Sequence, residues 1–391
     1  MSTKLEDNQL NSIFFICGQG RNRRTGYMNQ LQSLKCIIWE NNQLQLLDQR
    51  LLPARKVFIN CKSHEDVFDS IRNMVVRGAP AIGVTSLFGP VLFLKSQTKK
   101  PSFEEFQKVL SYLESARPTA VNLKQALDSL IQEIPEETYE ALKLSELQEK
   151  TESFAINFYK KDLETNQAIA RNGSKLFYIS QKKLSILTHC NTGALATAGI
   201  GTALGVIRAL KDEGFEITVY VDETRPYNQG SRLTAWELEE EGIPYYLIAD
   251  NMAGWLMKDR KIDAIIVGAD RIALNGDTAN KIGTYPLSII AREHGVPFYV
   301  AAPHTSFDLQ IESGDEIIIE MRPEDELTRM AFLKKEDGTP VIPQGVIAPM
   351  GAKALNPSFD VTPAKNIRGI ITDKGIILHP TKESVLSVLQ P

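Results

Sequence analysis

From Lys175 onward the chain repeats one rhythm, a short apolar run, a turn and a helical stretch. The runs are Leu184–Leu187, Ile217–Val221, Tyr245–Ile248, Ile262–Val267 and Phe298–Ala301. They alternate with helical patterns at Ala194–Glu213, Ser231–Glu241, Met252–Asp259 and Ile282–His294. Apolar runs this short fit strands covered on both faces, and their alternation with helices is the pattern of βαβ units. The expected architecture is α/β, a Rossmann-like, doubly wound parallel sheet with right-handed crossovers. In such sheets ligands bind beyond the carboxyl ends of the strands. The late segment IRGIITDKGIIL reads as a hairpin turning at Asp373-Lys374-Gly375.

The part ahead of this sheet reads differently. LKCIIW and QLQLLDQ flank the polar turn Glu40-Asn41-Asn42 and predict a hairpin, hence a small antiparallel sheet. His64 to Val76 is amphipathic, with Val67, Phe68, Ile71, Met74 and Val75 at helical spacing. Ala81 to Leu94 reads as a buried helix, and Phe103–Ala116, Ala120–Ile134 and Glu137–Ser174 continue the helical pattern. The expected organisation is a mainly helical N-terminal domain over 28–174 and a Rossmann-like catalytic domain over 175–391. Residues 1–27, with Arg21, Arg23 and Arg24 among glycines, predict a mobile N-terminal extension.

Bulk properties exclude several classes. The chain has 391 residues, enough for two cores, and its 43% hydrophobic and 24% charged content is that of a folded soluble protein. A net charge of −4, with cations spread along the chain, makes no case for nucleic acid or a membrane surface. Four cysteines without ligand spacing predict neither disulfides nor a structural metal. The short patch Ile13–Cys17 is no signal peptide, no later run reads as a bilayer span, and the expected location is cytoplasmic.

Four segments could carry chemistry. In KIDAIIVGADRIALNGDTANKIGTYP, Asp270 follows an apolar run, with a polar loop and the pair Asn280-Lys281 beyond it. Asp270 reads either as a site carboxylate at a strand end or as a helix cap. In ILTHCNTGALATAG, Cys190 lies between a strand and a helix, where a helix N-terminus lowers a thiol's pKa; a buried inert cysteine is the other reading. His189 faces the opposite way on an extended backbone and is not assumed to be its partner. Gly199-Ile200-Gly201 begins a dinucleotide fingerprint, but Leu204 fills its third glycine position and the glycines fall in a helical run. VDETRPYNQGSRLTAWE crowds Asp222, Glu223, Arg225, Asn228, Gln229 and Arg232 at a strand end, which suits a polyhydroxylated ligand or a solvated loop. In MVVRGAPAIG, Gly78 and Ala79 leave amides uncovered before a helix beginning near Pro80. Beside Arg77 this makes either a phosphate site or a plain helix-breaking turn.

With RGAPAIG, THCNTGALAT, DETRPYNQGSRLTAWEL, DNMAG, GADRIALNGDTANKIGT and APHTSFD standing in order, the chain resembles the methylthioribose-1-phosphate isomerase family. Its wider kin include ribose-1,5-bisphosphate isomerase and the regulatory subunits of translation initiation exchange factor B. The resemblance runs from about Leu34 to Leu386 and leaves residues 1–27 unexplained. It implies that Cys190 and Asp270 are the catalytic pair and that Arg77, Gly78, Ala79, Arg117, Gln229, Asn280 and Lys281 bind the sugar phosphate. It also implies a homodimer without metal or nucleotide cofactor.

The reaction so implied converts 5-methylthioribose 1-phosphate to the corresponding ketose in methionine salvage. Asp270, held protonated by desolvation, would donate to the ring oxygen. Cys190 would remove the C2 proton or stabilise a hydride shift. Two other readings remain at this point, an isomerase of ribose 1,5-bisphosphate and a non-catalytic regulatory subunit. Fold alone does not separate them.

Overall fold

The computed structural model describes residues 34–390 except 119, 178–181 and 338, so the expected extension over 1–27 lies outside the described residues. The chain starts with an antiparallel sheet of β1 (Ile37–Glu40), β2 (Gln43–Leu47) and β3 (Phe58–Cys61). Asn41 and Asn42 join β1 to β2 with φ of 53° and 60°, the left-handed pair a two-residue hairpin needs. Helices follow: α1 (His64–Arg72), α2 (Ala79–Ser96), α3 (Phe103–Glu114), α4 (Val121–Glu133), α5 (Glu136–Ala141) and α6 (Leu144–Ser174). The single helical stretch expected over Glu137–Ser174 is two helices. Leu142 and Lys143 are extended, and Glu146 accepts the Lys143 amide at 2.7 Å to start α6 afresh.

α2 is the hub of this half, packed against α1, α3, α4 and α6. Its 18 residues are apolar enough to cross a bilayer by length and composition, which amends the reading that no run is; 72% of them are buried inside the protein. Apolar residues on all sides make a helix that must be surrounded by other elements. Its position fixes where its N-terminus, Gly78-Ala79, points.

The second half contains β4 (Lys183–Thr188), α7 (Ala203–Asp212), β5 (Glu216–Asp222), α8 (Ala235–Glu240), β6 (Tyr245–Ile248), α9 (Ala253–Lys258) and β7 (Ala264–Val267). Next come β8 (Arg271–Ala273), β9 (Thr278–Lys281), α10 (Thr284–Glu293), β10 (Phe298–Ala301) and β11 (Phe307–Asp308). Four short strands, β12 (Arg329–Ala331), β13 (Lys334–Glu336), β14 (Thr339–Val341) and β15 (Gln344–Val346), form two small ribbons. The chain closes with β16 (Phe359–Thr362), β17 (Gly369–Ile371), β18 (Ile376–Leu378) and α11 (Lys382–Leu389). The large sheet has the order β18-β17-β10-β7-β4-β5-β6 and is parallel except where β18 returns against β17 as the expected hairpin.

Three expectations change. The segment after Asp270 is not a loop: β8 and β9 pair antiparallel within a second sheet, β11-β8-β9-β16. Its strands of two to four residues, carrying Asn and Asp, leave no apolar run to read. The helix expected from Ala194 begins only at Ala203. Residues 194–202 are irregular because Thr197 Oγ1 accepts the amides of Gly199 (3.3 Å) and Gly201 (2.9 Å) and an Asp162 carboxylate oxygen accepts that of Ala198 (2.8 Å). The two glycines therefore lie outside any helix; Gly201 has φ 84°, and a Cβ there would sit 2.3 Å from Gly193 Cα. β6, read as a covered strand, is the sheet's edge, with Tyr246 and Leu247 exposed.

Candidate active site

From β4 the chain builds outward through β5 to β6, then returns to lay β7 and β10 on the other side. The reversal falls between β4 and β7, the switch point where open α/β sheets hold ligands. Cys190 follows β4 and Asp270 follows β7.

Cys190 is in the left-handed region at φ 64°. Two threonines hold it there: its amide donates to Thr224 Oγ1 at 2.8 Å, and Thr234 Oγ1 donates to its carbonyl at 2.6 Å. The thiol is buried, and that burial raises its pKa above the usual range; the charges of Arg77 and Lys281 oppose the shift and Asp270 adds to it. Of the two readings of this thiol, desolvation favours the buried, protonated one. The next regular helix, α7, starts at Ala203, too far for its dipole to act, so desolvation decides.

Asp270 donates its amide to the Ala279 carbonyl at 2.9 Å, which locks the strand end to β9. Its side chain is exposed along its own surface although protein surrounds it at depth. Burial raises its pKa, against Lys281, Arg77 and Arg117, while Glu320 adds to the rise. Solvent at this exposed carboxylate weakens the effect of burial.

Arg77, 7% exposed, crosses from the helical half. Its Nη2 donates to the Asn191 carbonyl at 3.2 Å and to Asn191 Oδ1, while its buried Nε has no partner. Behind it, Asn191 Nδ2 donates to Glu237 at 2.8 Å. Glu237 also accepts Arg208 Nη2 (2.7 Å) and the amides of Ala194 (2.7 Å) and Leu195 (3.2 Å). A buried carboxylate with this many donors is a rigid anchor, and it fixes both Asn191 and the arginine beyond. Gly78, at φ 95°, caps α2, and a Cβ on it would lie 2.6 Å from Ala196 Cα. Only glycine lets the two halves approach this closely. Ala79 opens α2 directly after it.

Lys281 ends β9; its Nζ donates to the Ser358 carbonyl at 2.8 Å and lies 4.8 Å from the centroid of Phe359. Asn280 is buried and donates to Thr284 Oγ1 at 3.0 Å. Arg117 is within electrostatic reach of Asp270 and Arg77; burial lowers its pKa, with Arg322 next and Glu320 opposing. Gln229 is buried with Oε1 unpartnered. The structure thus brings Cys190, Asp270, Arg77, Arg117 and Lys281 within reach of one another's charge. The arrangement offers three cations for an anionic group beside one acid and one thiol.

Other members of the crowded Asp222–Arg232 segment face the protein. Arg232 donates to the carbonyls of Gln49, Arg50 and Leu52, Arg225 to those of Pro226 and Leu327, and Asp222 pairs with His189. Glu320 and Arg322 were not anticipated. They sit in a segment that reads as ordinary charged surface, and nothing in its sequence marks the fold-back toward Arg117. Asn191 was within a quoted motif, directly after Cys190, but its polar role shows only with Glu237 behind it.

The model of the initiation factor 2 subunit family (IF-2B) matches residues 75–379. The methylthioribose-1-phosphate isomerase of Leptospira interrogans is 56% identical over 361 residues, 92% of this chain and 99% of that protein. The crystal structure of 5-methylthioribose 1-phosphate isomerase from Pyrococcus horikoshii superposes with a TM-score of 0.82 at 38% identity, covering 93% of this chain and 98% of that one. The structure of translation initiation factor eIF-2B subunit delta from A. fulgidus gives 0.79 at 37% identity, covering 92% and 100%. The chain belongs to the initiation factor 2 subunit family and, within it, to the methylthioribose-1-phosphate isomerase family.

Proposed function

We infer that this chain is an aldose–ketose isomerase converting 5-methylthio-α-D-ribose 1-phosphate to 5-methylthio-D-ribulose 1-phosphate in methionine salvage. The observation that carries the reading is Cys190 and Asp270 across the switch point under Arg77, Arg117 and Lys281. In our reading the three cations, with Gly78, Ala79, Gln229 and Asn280, hold the sugar phosphate. Phosphate on the anomeric oxygen locks the ring, so the first step must be acid-assisted opening. Asp270, whose pKa burial shifts upward, gives its proton to the ring oxygen as the bond from C1 to that oxygen breaks. The C2 hydrogen then moves with its electron pair to C1 while the C2 hydroxyl becomes the carbonyl and returns its proton to the Asp270 carboxylate. A thiol whose pKa is raised is a poor base, which supports Cys190 as a neutral group lining a hydride shift.

The likeness to a protein described as an exchange factor subunit favours a second reading, a non-catalytic scaffold. Incubation of purified protein with 5-methylthioribose 1-phosphate and with ribose 1,5-bisphosphate separates these. Turnover of the first is expected. Turnover of the bisphosphate alone overturns the substrate assignment, and turnover of neither supports the scaffold.

A homodimer is part of the proposal. Tyr246 (61% exposed), Leu247 (50%), Met252 (50%) and Trp255 (63%) lie in β6 and the segment after it, an apolar surface of the kind that pairs. Largely distinct apolar cores in the helical and sheet halves support a division near residues 174/175, although Ile169 packs in the sheet core and a smaller cluster joins Leu34, Leu47 and Leu52 to Leu195 and Trp236. A cytoplasmic location fits the metabolic role.

A further inference from the structure

We propose that His189 and Asp222 form a proton-sharing clamp that positions the turn carrying Lys281, a positioning role in the isomerisation. The inference rests on the reading of Lys281 as a contact to the sugar phosphate.

His189 stands beside Cys190 in sequence but points away from it, and it is only 1% exposed. Its Nε2 lies 2.9 Å from the Ile282 carbonyl. A carbonyl can only accept, so Nε2 carries a hydrogen. Its Nδ1 lies 2.9 Å from Asp222 Oδ2. Two arrangements satisfy both bonds, an imidazolium facing a carboxylate or a neutral ring accepting from a carboxylic acid. In either, the pair holds one proton more than a neutral ring and a carboxylate would. Burial works against the charged ring, but the hydrogen bond and charge of Asp222 outweigh it; burial likewise pushes Asp222 up to about 6. Asp250 comes within 4.8 Å of both, and its two oxygens are engaged by the amides of Thr224 (2.7 Å) and Arg225 (2.8 Å). With Nε2 turned to a carbonyl and Nδ1 to Asp222, neither ring nitrogen is available to substrate.

The turn that His189 grips is built for it. Gly283 is left-handed at φ 104°, and a Cβ there would meet the imidazole at 2.9 Å (Cε1) and 3.1 Å (Nε2). The turn therefore packs directly on the ring. From the other side Asp360 accepts the amides of Gly283 at 2.8 Å and Tyr285 at 2.9 Å. Lys281 and Asn280 immediately precede the gripped carbonyl, so their placement at the site depends on where His189 holds Ile282. Asp222 in turn fixes the ring to the end of β5. The clamp thus ties the ends of β4 and β5 in the large sheet to the turn that follows β9 in the second sheet.

The test uses the full-length enzyme with 5-methylthioribose 1-phosphate. His189→Ala is expected to raise KM about 10-fold or more, with a smaller effect on kcat, and added imidazole is expected to restore KM. Asp222→Asn should retain most of the affinity, since the amide can donate to Nδ1 of a neutral ring bonded to Ile282. Lys281→Met, measured alongside, should raise KM by itself. A folded His189→Ala with unchanged KM, while Lys281→Met raises it, overturns the clamp alone. Lys281→Met without effect overturns the reading of Lys281 and the clamp with it. Histidine-selective NMR of the unaltered enzyme covers the case in which His189→Ala does not fold. A protonated Nε2 and a strongly downfield Nδ1 proton shared with Asp222 support the clamp; an unprotonated Nε2 at neutral pH overturns it.

Discussion

Cys190 and Asp270 stand on either side of the reversal of the sheet and within reach of each other's charge, one just beyond β4 and the other just beyond β7, strands that pair through Ile186–Ala264 and Leu187–Ile265. Neighbouring parallel strands of unbroken register give the two side chains a fixed spacing that loops alone would not provide. What each side chain does then depends on its protonation.

For Asp270 the sign follows from the upward shift. A general acid works only while protonated, so kcat/KM should fall as pH rises through the Asp270 pKa. Asp270→Asn should lower kcat roughly 10²–10⁴-fold and abolish that alkaline limb, with thermal stability retained. A near-normal rate for this variant in a pH–rate series would remove Asp270 from the donor role.

Isotope incorporation reports on Cys190. Turnover in deuterated water is expected to leave C1 of the product without solvent deuterium, as a hydride shift requires. Substantial label at C1, read by mass spectrometry, would make Cys190 or another group a base.

The thiol itself can be titrated by alkylation. Burial keeps it protonated at neutral pH, so reaction with iodoacetamide should accelerate only above the range of a free cysteine, about 8.5. Arg77→Gln removes a charge that favours thiolate and should move that profile further up. A reaction already at its plateau at pH 7 would contradict the assignment.

Asp162, on α6, is a carboxylate that binds the irregular segment before α7. Burial pushes its pKa from 3.8 up to about 6, against the Ala198 amide and Asn166. The folded chain therefore holds this proton more tightly than the unfolded one. Its contribution is full below about pH 4 and is lost as pH rises to about 6. Asp162→Asn should flatten that slope and raise stability near pH 7–8 by roughly 1–2 kcal/mol. Asn166 can turn its own amide, whose Oδ1 is unpartnered, to accept the new donor. Denaturant unfolding at pH 4.5 and 7.5, chosen at about the two ends of the window, measures the difference.

For the dimer, Leu247→Lys with Trp255→Glu should convert a two-subunit species to one subunit in light scattering, since charges on an apolar contact remain unpaired after burial. An unaltered protein that is already monomeric would set the proposal aside.

Much of the fold was legible because buried parallel strands write themselves as continuous apolar runs; Ile265, Ile266 and Val267 are all wholly buried. β8 and β9 were not, because strands of three and four residues bearing Arg, Asn and Lys have no apolar signature. Ala194–Thr202 misled in the opposite sense: small apolar residues suit a helix, but Thr197 within the segment and Asp162 outside it bind its amides. At the site, Cys190, Asp270 and Arg77 stand out by position, whereas the sequence leaves the ionisation of Cys190 open between two readings. A helix start in the sequence says nothing of how deep the thiol lies. Glu320, Arg322 and the Asn191–Glu237 anchor depend on contacts far apart in the chain, and no local pattern encodes them.

Gly78 lets the N-terminus of α2 lie against Ala196, so a seam between the two halves runs beside Arg77. A sugar phosphate held by Arg77 on one side and Lys281 on the other would bridge that seam as a molecular staple. Ligand binding and the cohesion of the two halves then become one equilibrium. Saturation at about 100 times Kd corresponds to about 2.7 kcal/mol of added resistance to unfolding, delivered where the chain would first part. The enzyme would be most robust when supplied with substrate and most open to proteolysis when starved of it.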